Sequence, residues 1–180
     1  ENLNLHIFEP RYKQLINESA ATQKPFGIPT VIGNKMQEYG SMVTVMEITK
    51  LYDNGEMDIK TKGEKVFRLL EVIKEVPDKL YSGAIVNYPD NYTMGIAGVM
   101  PKMMKSIRQL HKLLKVNKDF KKTDDELICY EVAHHIGFSL EEEYELLCLM
   151  DERQRQEYIK RHLAKVIPLL GEMEHLKEKV

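Results

Sequence analysis

The chain has 180 residues, 43% hydrophobic and 30% charged, which is enough apolar material for one large domain or two small ones and too much for a disordered segment. Its net charge of −2 exerts no global pull toward nucleic acid or an anionic membrane. No apolar run approaches the roughly 20 residues that cross a bilayer, and no signal peptide is recognisable, so a cytoplasmic protein without a membrane partner is expected. Cys129 and Cys148 lack CxxC spacing and lie in apolar helical patterns, which reads as buried thiols in a reducing compartment rather than a disulfide or a metal site.

The opening residues change period. Leu3, Leu5 and Ile7 alternate with Asn4, His6 and Phe8, which suits a strand or an extended entry. Pro10 is well placed as the first residue of a helix, where its missing N–H costs nothing. Tyr12, Leu15 and Ile16 then follow at i, i+3 and i+4 and should be buried against a sheet. Glu9 and Arg11 read as an ion pair or cap at this strand-to-helix corner. The chain opens at Glu1 rather than Met, so the numbering is expected to begin inside a longer protein, with the corner's missing partner an upstream strand together with the sheet that follows.

After a helix over about 10–21, strands are expected at Phe26–Ile32, Met42–Ile48, Met57–Thr61, Val66–Val72 and Tyr81–Tyr88. Pro29 marks the first of these as an edge or a bulge. Asp53-Asn54-Gly55 is a hairpin turn, because Asn-Gly tolerates positive φ. Lys62-Gly63-Glu64 and Pro77-Asp78 read as further turns. Five short strands at regular spacing predict a compact barrel or a folded sheet.

The period then changes to helical. Met100, Met103, Met104, Ile107, Leu110 and Leu114 form one stripe over 98–116. Thr123-Asp124-Asp125-Glu126 reads as a capping box opening a helix that ends at Gly137. Ser139-Leu140-Glu141-Glu142 opens a second helix through Cys148, and Asp151-Glu152-Arg153-Gln154 a third and longer one. Pro168 should kink or interrupt that last helix, with 172–179 as its continuation. The fold class is therefore α+β, a β-rich half over 1–92 and a helical bundle over 97–180.

Catalytic patterns are absent. No Gly-rich loop ends in GK[ST], no HExxH occurs, and no GxSxG elbow is present. His134 and His135 are adjacent, so on a helix they diverge by about 100° and cannot share a ligand face. Two features offer surfaces instead. Lys102 to Lys122 holds eight basic residues against one acid, Asp119, and could meet phosphates, but Phe120 alone interleaves them where single-strand binding uses several stacking platforms. Met100, Met103, Met104 and Ile107 form the candidate partner-binding surface, since methionine adapts to irregular partners, with a packed domain junction as the plainer alternative.

Leu5-His6-Ile7-Phe8-Glu9-Pro10-Arg11-Tyr12 resembles the opening signature of the N-terminal domain of Lon, the ATP-dependent protease. The order continues through Pro25-Phe26-Gly27-Ile28, Tyr39-Gly40-Ser41-Met42-Val43, Asp53-Asn54-Gly55 and Gly63-Glu64-Lys65-Val66-Phe67-Arg68. Tyr130-Glu131-Val132-Ala133 and Glu142 to Leu147 extend it across nearly the whole chain. The resemblance implies a PUA-like β domain followed by a helical bundle, with His6, Phe8, Glu9, Pro10, Arg11 and Tyr12 as structural family residues. It implies recognition of unfolded or damaged protein segments for ATP-dependent proteolysis, by a module without catalytic residues, metal or cofactor. Partners would include ATPase and protease modules in cis or in trans. None of Ser19, Ser41, Ser82, Ser106 and Ser139 maps onto the family's protease serine. The alternative is an RNA-binding PUA-like module, which the net charge disfavours. No oligomeric state follows from the sequence.

Overall fold

The alternating Leu3, Leu5 and Ile7 form a strand of their own. In the computed structural model, which describes residues 2–177, β1 (Asn2–Ile7) runs antiparallel to β4 (Met57–Ile73) with Leu5 opposite Ile59 and Ile7 opposite Met57. Of the partners expected for the corner, the sheet that follows is present, as β4. Helix α1 (Pro10–Thr22) starts with Pro10 in its first turn, after Glu9 in an extended conformation. Glu9 caps nothing with its side chain and instead accepts from Arg11, at 2.7 Å. Ile16 is buried and Leu15 half-buried as expected. Tyr12 is a correction: it is 39% exposed, under the Arg11 guanidinium 4.6 Å from its ring centre, and Ser19 takes the remaining place on the inward face.

β2 (Phe26–Ile32), β3 (Lys35–Leu51), β4 and β5 (Gly83–Asn87) complete one antiparallel sheet. Its order is β1-β4-β3-β2, with β5 also on β4. β3 pairs along one edge of β4, while β1 takes the first part of the other edge and β5 the last part. Among the described residues the sheet stays open, so the structure shows a folded sheet and not a closed barrel. The two strands expected at Met57–Thr61 and Val66–Val72 are one strand. Lys62 faces Thr44, Gly63 faces Val43, and Lys65 faces Met42, so Glu64 is an extra residue and the expected turn is a β-bulge. Further irregularities at Met46, Thr49 and Leu70 bend the long β3–β4 pair and its junction with β5. The Asn54-Gly55 hairpin closes as expected: Gly55 has φ 76° and donates to the Tyr52 carbonyl at 2.9 Å. Ile7, Ile16, Phe26, Val43, Val45, Met57 and Ile59 form the core of this first unit, Glu1–Asp90.

The second unit, Asn91–Val180, is helical. It contains α2 (Val99–Leu113), α3 (Cys129–Val132) running into a 3₁₀ turn (Ala133–His135), α4 (Leu140–Cys148) and α5 (Glu152–Lys177). The helix expected from Thr123 is much shorter. The Glu126 amide donates to the Thr123 carbonyl, and the Glu126 carboxylate accepts from the Thr123 N–H and hydroxyl, which closes an isolated turn. Helix α3 begins only after Ile128, whose N–H donates to Glu131 at 3.2 Å. Gly137, with φ 77°, ends the segment as expected. The Ser139 capping box forms, with the Glu142 N–H donating to the serine at 3.2 Å and Ser139 N–H to Glu142 at 2.8 Å. Pro168 lies inside α5 without ending it, since it removes a single backbone bond and the turns on either side persist. The expected continuation runs to Lys177, and Glu178 and Lys179 lie outside the described residues. No described helix is long and apolar enough to cross a membrane.

Candidate functional site

Two strand glycines explain a concavity on the sheet unit. The register sets Pro29, Gly40 and Phe67 side by side and pairs Gly27 with Met42. The Phe67 ring lies over both glycines. A Cβ at Gly40 would stand 2.5 Å from Phe67 Cζ and 2.5 Å from the Ile28 carbonyl oxygen, and one at Gly27 would stand 3.2 Å from Phe67 Cε1. The missing side chains therefore let a phenyl ring form the floor of a groove of about 460 Å³. Leu69, opposite Val86, and Val72, opposite Ala84, extend the apolar lining toward Tyr88, and Met36 and Met42 supply thioethers. Leu15, Glu18, Ser19 and Thr22, one face of α1 at i, i+3, i+4 and i+7, form the far wall.

That wall is pinned to the segment between β4 and β5. Glu18 accepts from Tyr81 Oη at 2.6 Å, from Lys79 Nζ at 2.7 Å and from Gln14 Nε2 at 3.1 Å. Lys79 first, then Tyr81, holds the Glu18 carboxyl below its ordinary range, while burial first and then Glu18 push the Tyr81 phenol up. Gln14 also donates to the Asp78 carbonyl at 3.0 Å and accepts from the Leu80 N–H at 2.8 Å. Lys65 sits 3.8 Å above the Tyr88 ring. The groove is thus apolar, with its one acidic side chain already neutralised and Lys24 among its lining residues.

None of His6, Phe8, Glu9, Pro10, Arg11 and Tyr12 lines this groove. They brace the corner instead. His6 Nδ1 is 2.7 Å from Asp58 Oδ1, its Nε2 is 3.4 Å from Glu56, and its ring stacks on Phe8 and meets Tyr52 edge-on. Asp58 also accepts from Tyr52 Oη at 2.8 Å. The hydrogen bond to Asp58 raises the His6 pKa, and the same bond lowers that of Asp58.

The candidate surface on α2 is corrected by burial. Met100 and Met103 are 4% and 3% exposed, and Met104 and Ile107 are fully buried in the core of the helical unit with Leu110, Val132, Ile136 and Ile159. The methionine stripe is packing material. The basic stretch is partly spent as well: Arg108 forks onto Asp124 at 2.8 and 2.5 Å, and Lys122 pairs with Glu131 at 2.7 Å. Among the described residues, no group of three His, Cys, Asp or Glu side chains could hold a metal ion. Cys129 is buried beside Glu152, and burial foremost pushes its thiol far up, so it remains an unreactive thiol. The groove residues carried a faint sequence signal in Gly27 and Gly40, since a glycine inside a strand marks a close backbone approach.

The family model of the ATP-dependent protease La (LON) substrate-binding domain matches residues 2–165. No curated protein matches the chain. Among solved structures, a Lon N-terminal domain protein from Xanthomonas campestris is similar in fold, with TM-score 0.64 and 18% identity over 89% of each chain. The N-terminal domain of Mycobacterium avium complex Lon protease is similar with TM-score 0.64 and 10% identity, over 92% of this chain and 91% of that one. At such identities the two structures speak for the fold alone, whereas the family model spans most of the chain. The chain belongs to the family of the ATP-dependent protease La (LON) substrate-binding domain.

Proposed function

We propose that the groove on the sheet unit binds exposed apolar segments of unfolded or damaged proteins and presents them for ATP-dependent proteolysis in the cytoplasm. The ATPase and protease steps belong to modules in cis or in trans. In this reading the sheet unit is an opened PUA-like fold and the helical unit a bundle. The observation that carries the proposal is the groove itself: Leu69, Val72, Val86 and Tyr88 stay partly or largely exposed over a buried Phe67 floor, in a family of substrate-binding domains. A concave apolar surface with a few convergent polar groups is the ordinary form of a binding site.

Titration of a permanently unfolded, fluorescently labelled protein against the full chain tests this. Binding in the micromolar range is expected, weakened about tenfold by Val86→Asp. Tyr88→Ala, at a half-exposed site, is expected to weaken it less. Absence of binding at high micromolar concentration, or binding indifferent to both substitutions in folded protein, overturns the assignment. Phosphate contacts through the α2 lysines would instead make RNA affinity fall with salt, with a slope of about −0.7 per contact.

A further inference from the structure

The strand bordering the groove has an unused edge. β5 hydrogen-bonds to β4 along one side, and among the described residues no backbone bond is recorded on its other side. Its sequence, Gly83-Ala84-Ile85-Val86-Asn87, has no charge and no proline, and Ala84, Ile85 and Asn87 are exposed. Soluble proteins blunt such edges with lysine, proline or bulges, because an open row of N–H and C=O groups recruits another strand. The sheet does so at β2, the other edge strand on the groove, which carries Pro29 and breaks register between Pro29 and Val31, whereas the irregularity beside β5 puts its extra residue, Leu70, in β4 and leaves β5 continuous. β1 contributes no residue to the groove.

The chemistry of the lining narrows the occupant. The groove holds two ionic side chains, Glu18 and Lys24. Glu18 is satisfied by Lys79, Tyr81 and Gln14, whereas Lys24 has no ion pair among the described residues. Lys65, stacked on Tyr88, adds a second cation at the rim. The charge not already compensated is positive, and it complements a carboxylate.

We propose that the groove takes its occupant as an added β-strand: an extended apolar segment of about five residues, carrying an acidic side chain, pairs antiparallel or parallel with the open edge of β5. Alternate side chains enter the groove over Phe67, the others face solvent, and the carboxylate meets Lys24. A segment of that length spans about 17 Å, the length of β5. This rests on the groove reading and adds to it a backbone-reading mode and a charge preference. Backbone pairing admits many sequences, because the hydrogen bonds are common to all of them and only alternate side chains are selected.

Three fluorescent heptapeptides measured by anisotropy against the full chain test it. The parent alternates valine and serine and ends in aspartate. The other two are N-methylated at alternate residues, one on the odd and one on the even set. Strand addition uses the N–H groups of one set only, so one methylated peptide should lose about tenfold or more in affinity and the other stay within about twofold. Replacing the aspartate by lysine should weaken binding, and Lys24→Glu should reverse that preference. If the parent binds and both methylated peptides bind equally, or lose equally, strand addition is overturned while the groove stands. If the parent does not bind at all, the groove reading falls with it. If Lys24→Glu leaves the preference unchanged, the charge assignment is wrong.

Discussion

The two units dispose of their apolar residues in opposite ways. In the helical unit Met104, Ile107, Leu110, Cys129, Val132, Ile136 and Ile159 are completely enclosed, and even its charges are packed. Arg155, fully buried, meets Glu152 at 2.8 Å, Asn91 at 2.9 Å, Tyr130 at 3.0 Å and the Leu149 and Tyr92 carbonyls at 2.5 and 2.9 Å. Glu152 also accepts from the Cys129 N–H at 2.6 Å. In the sheet unit a smaller core is enclosed, while Met36, Val72 and Tyr88 remain 44%, 40% and 47% exposed along the groove. An apolar stripe is therefore a poor guide to a binding surface. The methionine-rich helix completes a core, and the surface left over is spread across four strands that are distant in sequence.

The helical unit should be most sensitive at its buried ion pair. Arg155→Leu leaves the Glu152 carboxylate buried without its partner, and a loss of about 3–5 kcal/mol is expected in urea or guanidinium unfolding. Glu152→Leu combined with Arg155→Leu removes both charges and should recover part of that loss, while the Leu149 and Tyr92 carbonyls and the Cys129 N–H each lose a hydrogen-bond partner. A single substitution that is nearly neutral would show that water reaches the pair and that the helical interior is less closed than its exposures indicate.

The groove floor is the corresponding weak point of the sheet unit. Gly40→Ala places a Cβ against the Ile28 and Pro29 backbone and the Phe67 ring. Backbone does not yield cheaply, so a loss of about 1–3 kcal/mol is expected, together with loss of binding as Phe67 is displaced. Phe67→Leu in the Gly40→Ala background makes room for the methyl group and should return part of the stability. No cost for Gly40→Ala alone would mean that the ring does not lie on the strand.

How far these features were legible in the sequence follows from how local they are. Pro10 at a helix start, Asn54-Gly55 in a hairpin, Ser139 with Glu142 in a capping box and the stripe on α2 each depend on residues within one or two turns, and each formed. Thr123 with Glu126 has the same local pattern and made only a turn, because the chain there is packed through Leu127 and Cys129 rather than through a continuous stripe. Lys62-Gly63-Glu64 looks like a turn in isolation, and becomes a bulge because β3 is long enough to pair on both sides of it. Tyr12 has helical spacing to Leu15 and Ile16, yet that face reaches the core one turn later. Of the groove only the two strand glycines left a trace: it needs Gly27, Gly40, Phe67 and Val86 together, and only the sheet register joins them.

At the family corner only a slight, local effect is expected. His6 lies between Asp58 and Glu56, and its pKa is raised from 6.5, chiefly by the Asp58 hydrogen bond. Asp58 is lowered from 3.8, by His6 first and Tyr52 second. A raised histidine contributes stability that is fully present below its unfolded pKa and is lost as pH rises through the folded value. A lowered carboxylate contributes stability that is present above its unfolded pKa and is lost as pH falls through the folded value. The corner should therefore be tightest between about pH 4 and 6.5, the span between the two ordinary values. Both side chains are solvent-accessible, so the change is expected in local order rather than in global unfolding. Proton exchange at the Tyr52 and Glu56 amides should quicken, relative to the intrinsic rates, as pH rises past the His6 midpoint, and an NMR titration should place that midpoint above 6.5. Asp58→Asn should bring the midpoint down and remove the pH dependence of the exchange. Binding of an unfolded protein should be unmoved by Asp58→Asn, since neither His6 nor Asp58 lines the groove. A loss of binding there would shift the site from the groove to the corner.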